Sequence, residues 1–175
     1  MIKQLLVVCL AICGMIAIAA LRTPDRFRVE RSITIAAPPT TVFPLVNDFR
    51  NFGLWSPWEK LDPAMERSIA GAATGVGATY RWSGNGKAGA GRMEIKESTP
   101  VTRVITEIAF TKPIASTNLA EYTFTPVGDS TRVTWAMSGA SPFVSKLMQV
   151  FVTMDDQIGG DFERGLAALK AVAEK

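Results

Sequence analysis

Twelve aromatic and methionine side chains are the residues of this sequence best suited to hold a ligand: Trp55, Trp58, Tyr80, Trp82, Met93, Phe110, Tyr122, Trp135, Met137, Phe151, Met154 and Phe162. Tryptophan and tyrosine carry a large apolar body with one polar handle, and a wholly buried one needs a partner for its N–H or O–H. Methionine adapts to irregular space and to varied guests. The chemistry this set can do is apolar binding. Each member alone is equally well explained as core, so the argument for a pocket is collective.

Catalytic groups are scarce. There is no histidine, and the two cysteines, Cys9 and Cys13, sit in the apolar N-terminal stretch. A Ser-His-Asp triad, a thiolate nucleophile in the folded domain and a Cys/His metal site are therefore excluded. We assign no catalytic residue, no cofactor and no metal ligand. The remaining acid–base candidates are carboxylates and the two tyrosines, Tyr80 and Tyr122. Glu94 and Glu121 fall on the polar parity of their strands, whereas Glu97 shares parity with Met93 and Ile95. Asp155, Asp156, Asp161 and Glu163 cluster on a C-terminal helix, where a buried member would act as a base with a raised pKa. Their simplest reading is a solvated helix face. Arg81 and Arg92 read as exposed cross-strand charges.

The elements that must position these residues follow from periodicity. Alternation over Phe27–Ala36 predicts a first strand, stopped by Pro38-Pro39. Two short helices follow, Thr40–Asn47 and Phe49–Trp55, the second capped by Asp48 and ended by Ser56-Pro57. Six more strands are predicted over Met65–Ala70, Gly77–Ser83, Gly89–Ser98, Arg103–Lys112, Thr117–Pro126 and Thr131–Gly139, joined by short turns and hence antiparallel. Gly84-Asn85-Gly86-Lys87-Ala88-Gly89 matches G-x-G-x-x-G, but strands flank it on both sides, so it reads as a hairpin turn. One face of each strand is apolar and the other carries Thr, Lys, Arg and Glu, the pattern of a sheet covered on one side.

The chain end supplies the cover. After Ser141-Pro142, Leu147, Phe151, Met154, Ile158, Phe162, Leu166 and Leu169 form one helical stripe. The pattern runs about 30 residues to Lys175, roughly 45 Å long. Gly159-Gly160 predicts a bend there or nearer Thr153.

At the other end, Leu5–Leu21 is 17 residues without a charge, preceded by Lys3 and followed by Arg22, Arg26, Arg28 and Arg31. It just reaches the lower limit for a spanning helix. A cleaved signal, with Ala17-Ile18-Ala19 as its A-x-A site, and a buried helix of the domain stay open beside a retained anchor. The arginines favour a cytoplasmic domain and the A-x-A site an exported one. The chain thus divides into residues 1–22, anchor or signal, and residues 26–175, one domain. Without Lys3 the remainder holds 18 basic and 16 acidic residues. That balance makes no case for nucleic acid.

The order of elements, and five stretches in particular, carry a family resemblance. They are Phe27 to Pro39 followed by Val42-Phe43, Asn47-Asp48-Phe49 with Trp55-Ser56-Pro57-Trp58, the strands Gly91–Ile95 and Thr123–Pro126, and Gly160–Leu166. Residues 26–175 resemble the START-like or SRPBCC superfamily, the helix-grip fold, and within it the polyketide cyclase/dehydrase-like branch. The resemblance implies an α+β domain, a seven-stranded curved antiparallel sheet wrapped around a long C-terminal helix. It also implies a cavity for a lipid, sterol, polyketide or similar molecule, and it brings no catalytic motif. The expected partners are a hydrophobic small molecule or lipid, and a membrane through residues 3–21. The oligomeric state stays open. A cyclase- or dehydratase-like enzyme using the same cavity and a ligand-free protein-interaction domain are the alternatives.

Overall fold

The apolar parity of the strands and the stripe of the last helix meet in one core. The computed structural model describes residues 2–175, apart from the side chains of residues 2, 5–9 and 13. It holds a seven-stranded, fully antiparallel sheet ordered β1-β7-β6-β5-β4-β3-β2. The strands are β1 (Arg26–Ile35), β2 (Glu66–Gly71), β3 (Ala78–Ser83), β4 (Ala90–Thr99), β5 (Arg103–Lys112), β6 (Ser116–Val127) and β7 (Ser130–Ala140). Helix α1 (Ile2–Arg22) precedes the sheet, α2 (Pro39–Asn47) and α3 (Phe52–Trp55) fill the β1–β2 connection, and α4 (Phe143–Gln149) and α5 (Met154–Ala173) end the chain. This is the expected α+β helix-grip arrangement.

Register explains which side chains turn inward. Tyr80 and Trp82 on β3, Val104 and Ile108 on β5, Tyr122 and Phe124 on β6, and Val133, Trp135 and Met137 on β7 share the covered face. Strand β4 departs from simple alternation. Ile95 pairs with Thr106 but Glu97 with Ile105, so Lys96 is an extra residue in a bulge. The bulge reverses parity beyond it. Glu97 therefore leaves the face of Met93 and Ile95 and meets Arg103 at 3.1 Å on the outside.

The closing helix is in two pieces. Ser141-Pro142 opens α4, which ends after two turns. Thr153 then starts α5 with a capping box: its hydroxyl accepts from the Asp156 N–H at 3.1 Å, and the Asp156 carboxylate accepts from the Thr153 N–H at 2.9 Å. Those bonds offer the first turn of α5 partners that a continuous helix would not need. The interruption thus falls at Thr153, while Gly159 and Gly160 lie inside unbroken helix. Close approach is the role of Gly159, and of Gly165 further along the helix. A Cβ at Gly159 would collide with the Arg31 guanidinium, and one at Gly165 would lie 2.7 Å from the Trp135 ring. Phe162 stacks on Trp135 with centroids 4.1 Å apart and planes 4° from parallel. Leu166 and Leu169 are buried beside it.

Helix α1 packs against α4. Ala20 is fully buried, but Leu10, Ile12, Met15, Ile18 and Leu21 are exposed, which removes the reading of α1 as a helix buried in the domain. Among the described residues no helix is long and apolar enough to cross a membrane. The anchor expectation draws on residues 5–9 and 13, whose side chains lie outside the described residues.

Two glycine substitutions on one helix separate propensity from contact. Gly160 has open space around it, its nearest neighbour being Arg164 at 3.5 Å. Gly160→Ala is expected to stabilise by about 0.5–1 kcal/mol. Gly165→Ala is expected to destabilise by about 1–3 kcal/mol, because α5 must lift off Trp135. Chemical denaturation of both variants reads the opposite signs.

Candidate functional site

Where α5 seats on Trp135 the interior is solid, and toward the first turns of α5 it is hollow. A cavity of about 310 Å³ lies there between α5, the inner faces of β3 to β7 and the segment after α3. Its size is at the lower end of the roughly 300–1,000 Å³ of small-molecule sites.

Seven of the twelve aromatic and methionine candidates line it: Trp58, Tyr80, Trp82, Met93, Phe110, Met137 and Met154. Trp55, Tyr122, Trp135 and Phe162 pack together outside the cavity as core, with Trp55 edge-on to Tyr122 at 6.0 Å and Tyr122 stacked on Trp135 at 5.2 Å. Phe151 is elsewhere. It follows α4, ahead of the break at Thr153, and is 71% exposed on the outside. The continuous stripe through Leu147, Phe151 and Met154 is thus corrected: the break rotates Phe151 out while Met154 stays at the cavity.

The tryptophans show how the lining is held. Trp82 donates its indole N–H to the Ala88 carbonyl at 3.0 Å and meets Phe110 edge-on at 5.6 Å. Trp58 donates to Asp161 Oδ2 at 3.2 Å, which ties the Trp55–Trp58 segment to α5. Trp55 donates to the Leu45 carbonyl at 2.9 Å. Trp135, fully buried under Phe162, has an indole N–H with no hydrogen-bond partner among the described residues.

Four polar residues reach the wall: Glu59, Lys87, Ser116 and Asn118. Glu59 is the most constrained. Its Oε1 accepts from the Tyr80 hydroxyl at 2.5 Å and its Oε2 from Arg67 Nε at 2.7 Å. Burial, and then Glu59, hold the Tyr80 phenol well above its ordinary pKa. The hydroxyl therefore remains a donor at neutral pH. Burial likewise raises Tyr122. Periodicity gave no access to Glu59 or Lys87, because both lie in irregular connections. Lys87 belongs to the G-x-G-x-x-G stretch, which is the β3–β4 turn with Gly89 at φ +65°.

The other carboxylates stay outside the cavity. Arg31 binds both oxygens of Asp155, at 2.8 and 2.9 Å, and Glu163 at 2.8 Å, fastening α5 to β1. The Arg31 guanidinium holds Asp155 below the usual carboxylate range. Asp156 is spent on the Thr153 cap, and Asp161 on Trp58 and Arg164. Glu94 pairs with Arg92 and Lys96, and Glu121 with Arg103 at 2.8 Å.

Solved structures share this architecture. Protein CV1439 from Chromobacterium violaceum is 14% identical, with a TM-score of 0.60 over 87% of this chain and 99% of its own. The solution structure of the Aha1 dimer from Colwellia psychrerythraea is 17% identical, with a TM-score of 0.61 over 85% and 96%. The Mll3558 protein from Rhizobium loti is 22% identical, with a TM-score of 0.55 over 85% and 95%. At these identities the likeness is one of fold. No curated protein matches the sequence. The profile of one family, described as polyketide cyclase/dehydrase and lipid transport, matches residues 26–174. With the helix-grip sheet, its apolar cavity and that match together, the chain belongs to the polyketide cyclase/dehydrase and lipid transport family.

Proposed function

We propose that this domain takes up one hydrophobic small molecule or lipid in the cavity between the sheet and the first half of α5, and that residues 3–21 keep it at a membrane. The observation that carries the reading is the lining. Trp58, Trp82, Met93, Phe110, Met137 and Met154 surround about 310 Å³ with few polar groups. An apolar void of this size stays poorly hydrated and favours an oily guest. The three methionines among these lining residues suit a range of shapes over one fixed substrate.

Attachment through α1 is supported by its uncharged run and by its exposed Leu10, Ile12, Met15, Ile18 and Leu21. Retention of α1 is supported by its contact with α4. It is further supported by Lys146 of α4, which reaches Asp25 between α1 and β1 at 2.5 Å.

Native mass spectrometry of the full chain is expected to show a one-to-one adduct with a fatty acid. Met93→Trp fills the void, and is expected to cut uptake of a fluorescent fatty acid at least tenfold while costing about 1–3 kcal/mol of stability. Unchanged uptake by a folded Met93→Trp protein would count against the cavity as the binding site.

One observation favours an enzymatic second reading. The Glu59 carboxylate is at the cavity wall, held in place by the Tyr80 hydroxyl and Arg67, where it would act as a general base on a bound polyketide-like molecule. Glu59→Gln separates the two readings. A carrier retains ligand uptake within about threefold. An enzyme retains uptake but loses turnover of a polyketide substrate by about 100-fold or more.

A further inference from the structure

Helix α4 is built inside out. Its buried residue is the charged one, Lys146, whose ammonium is held by Asp25, while Phe143, Val144 and Met148 face outward. The segment after it continues the pattern with Phe151 and Val152, 71% and 47% exposed. Five large apolar side chains within ten residues are more than scattered surface hydrophobes, and α4, which carries three of them, packs against α1.

Register shows where this face lies. Arg26 pairs with Ala140, Asn118 with Gly139, Phe110 with Ser116, and Ala90 with both Lys112 and Ser83. The start of β1, the end of β7, the β5–β6 turn and the β3–β4 turn therefore share one end of the sheet. Helices α1 and α4 attach at that end. The same end carries Lys87, Ala88, Phe110, Ser116 and Asn118 of the cavity wall. Ile114, at the tip of the β5–β6 turn, is 68% exposed beside them.

Charge identifies the occupant. Arg22, Arg26, Lys87 and Lys112 ring this end, and none of them forms an ion pair among the described residues. Of the nearby carboxylates, Asp25 is held by Lys146, and Asp62 accepts from the Asn85 N–H at 2.7 Å. Asp62 keeps its charge, and it, Glu66 and the Thr153-capping Asp156 have no cation partner among the described residues, so three carboxylates oppose the four cations. An apolar face rimmed by unpaired cations fits an anionic leaflet.

We infer that α4 and residues 150–152 dip into the membrane surface as a second contact beside α1, so that the cavity mouth faces lipid and cargo passes between cavity and bilayer without crossing water. This rests on the proposed ligand-binding function for the cargo, but not for the docking itself.

The test uses the full chain in vesicles of phosphatidylcholine and phosphatidylglycerol, with p-azidophenylalanine in place of Phe151 or, at the opposite end of the sheet, of Asp129. Irradiation is expected to give phospholipid adducts at position 151 and none at 129. Covalent dimers from position 151, or no lipid adduct there, would overturn the docking. In parallel, Phe143→Asp with Phe151→Asp is expected to slow transfer of a fluorescent fatty acid from the cavity to vesicles about tenfold. Equilibrium loading in detergent should be unchanged. Equal transfer rates would overturn the route. Failure of the wild-type chain to load at all would instead sink the cavity reading, and the cross-linking result would stand apart from it.

Discussion

Phe162 lies flat on Trp135, and Gly165, three residues further along α5, lacks the Cβ that would hold the helix away. That seat fixes the distance between helix and sheet at one level only. Below it, Leu166, Leu169, Trp55 and Tyr122 fill the interior. Above it, the helix and the curved sheet diverge, and side chains from both fail to meet. A close-packed interior tolerates few voids larger than a water molecule, so a hollow of about 310 Å³ is a departure that ordinary core packing does not explain. The ion pairs of Arg31 with Asp155 and Glu163 tie the upper end of α5 down without filling the space beneath it.

The same geometry accounts for the polarity of the wall. Strand side chains on the covered face are apolar, so polar groups reach the cavity from the irregular connections and from strand ends. Glu59 enters from the segment after α3 and is neutralised by Arg67 and Tyr80, which removes the penalty of a lone buried charge. Lys87 enters from the β3–β4 turn at the open end. The result is a largely apolar wall with Lys87 at its rim.

How far this was legible in the sequence depends on what each residue's period could encode. Alternation identified the inward face of β3, β5, β6 and β7, and the stripe identified α5 as the cover. Parity says which face a side chain takes, but not how far along the strand it sits. Trp135 and Trp82 therefore looked alike, although one lies at the helix seat and the other in the cavity. The bulge at Lys96 moved Glu97 to the outer face, a shift no alternation rule foresees. Phe151 continued the apolar stripe in spacing, and only the Thr153–Asp156 capping box reveals that the helix has ended before it. Glu59 and Lys87 sit in turns, where no period exists to point them anywhere.

The central claim is that oily guests occupy the hollow and leave the packed seat undisturbed. Methyl resonances of the methionines report on it directly, because Met65, Met93, Met137 and Met154 line the cavity while Met15 and Met148 are on the outer apolar surface. In methyl-labelled full chain titrated with a fatty acid, the account predicts saturable shifts of Met65, Met93, Met137 and Met154, with direct magnetisation transfer from the ligand chain. Shifts confined to Met15 and Met148, with the four cavity methyls unmoved, would contradict it.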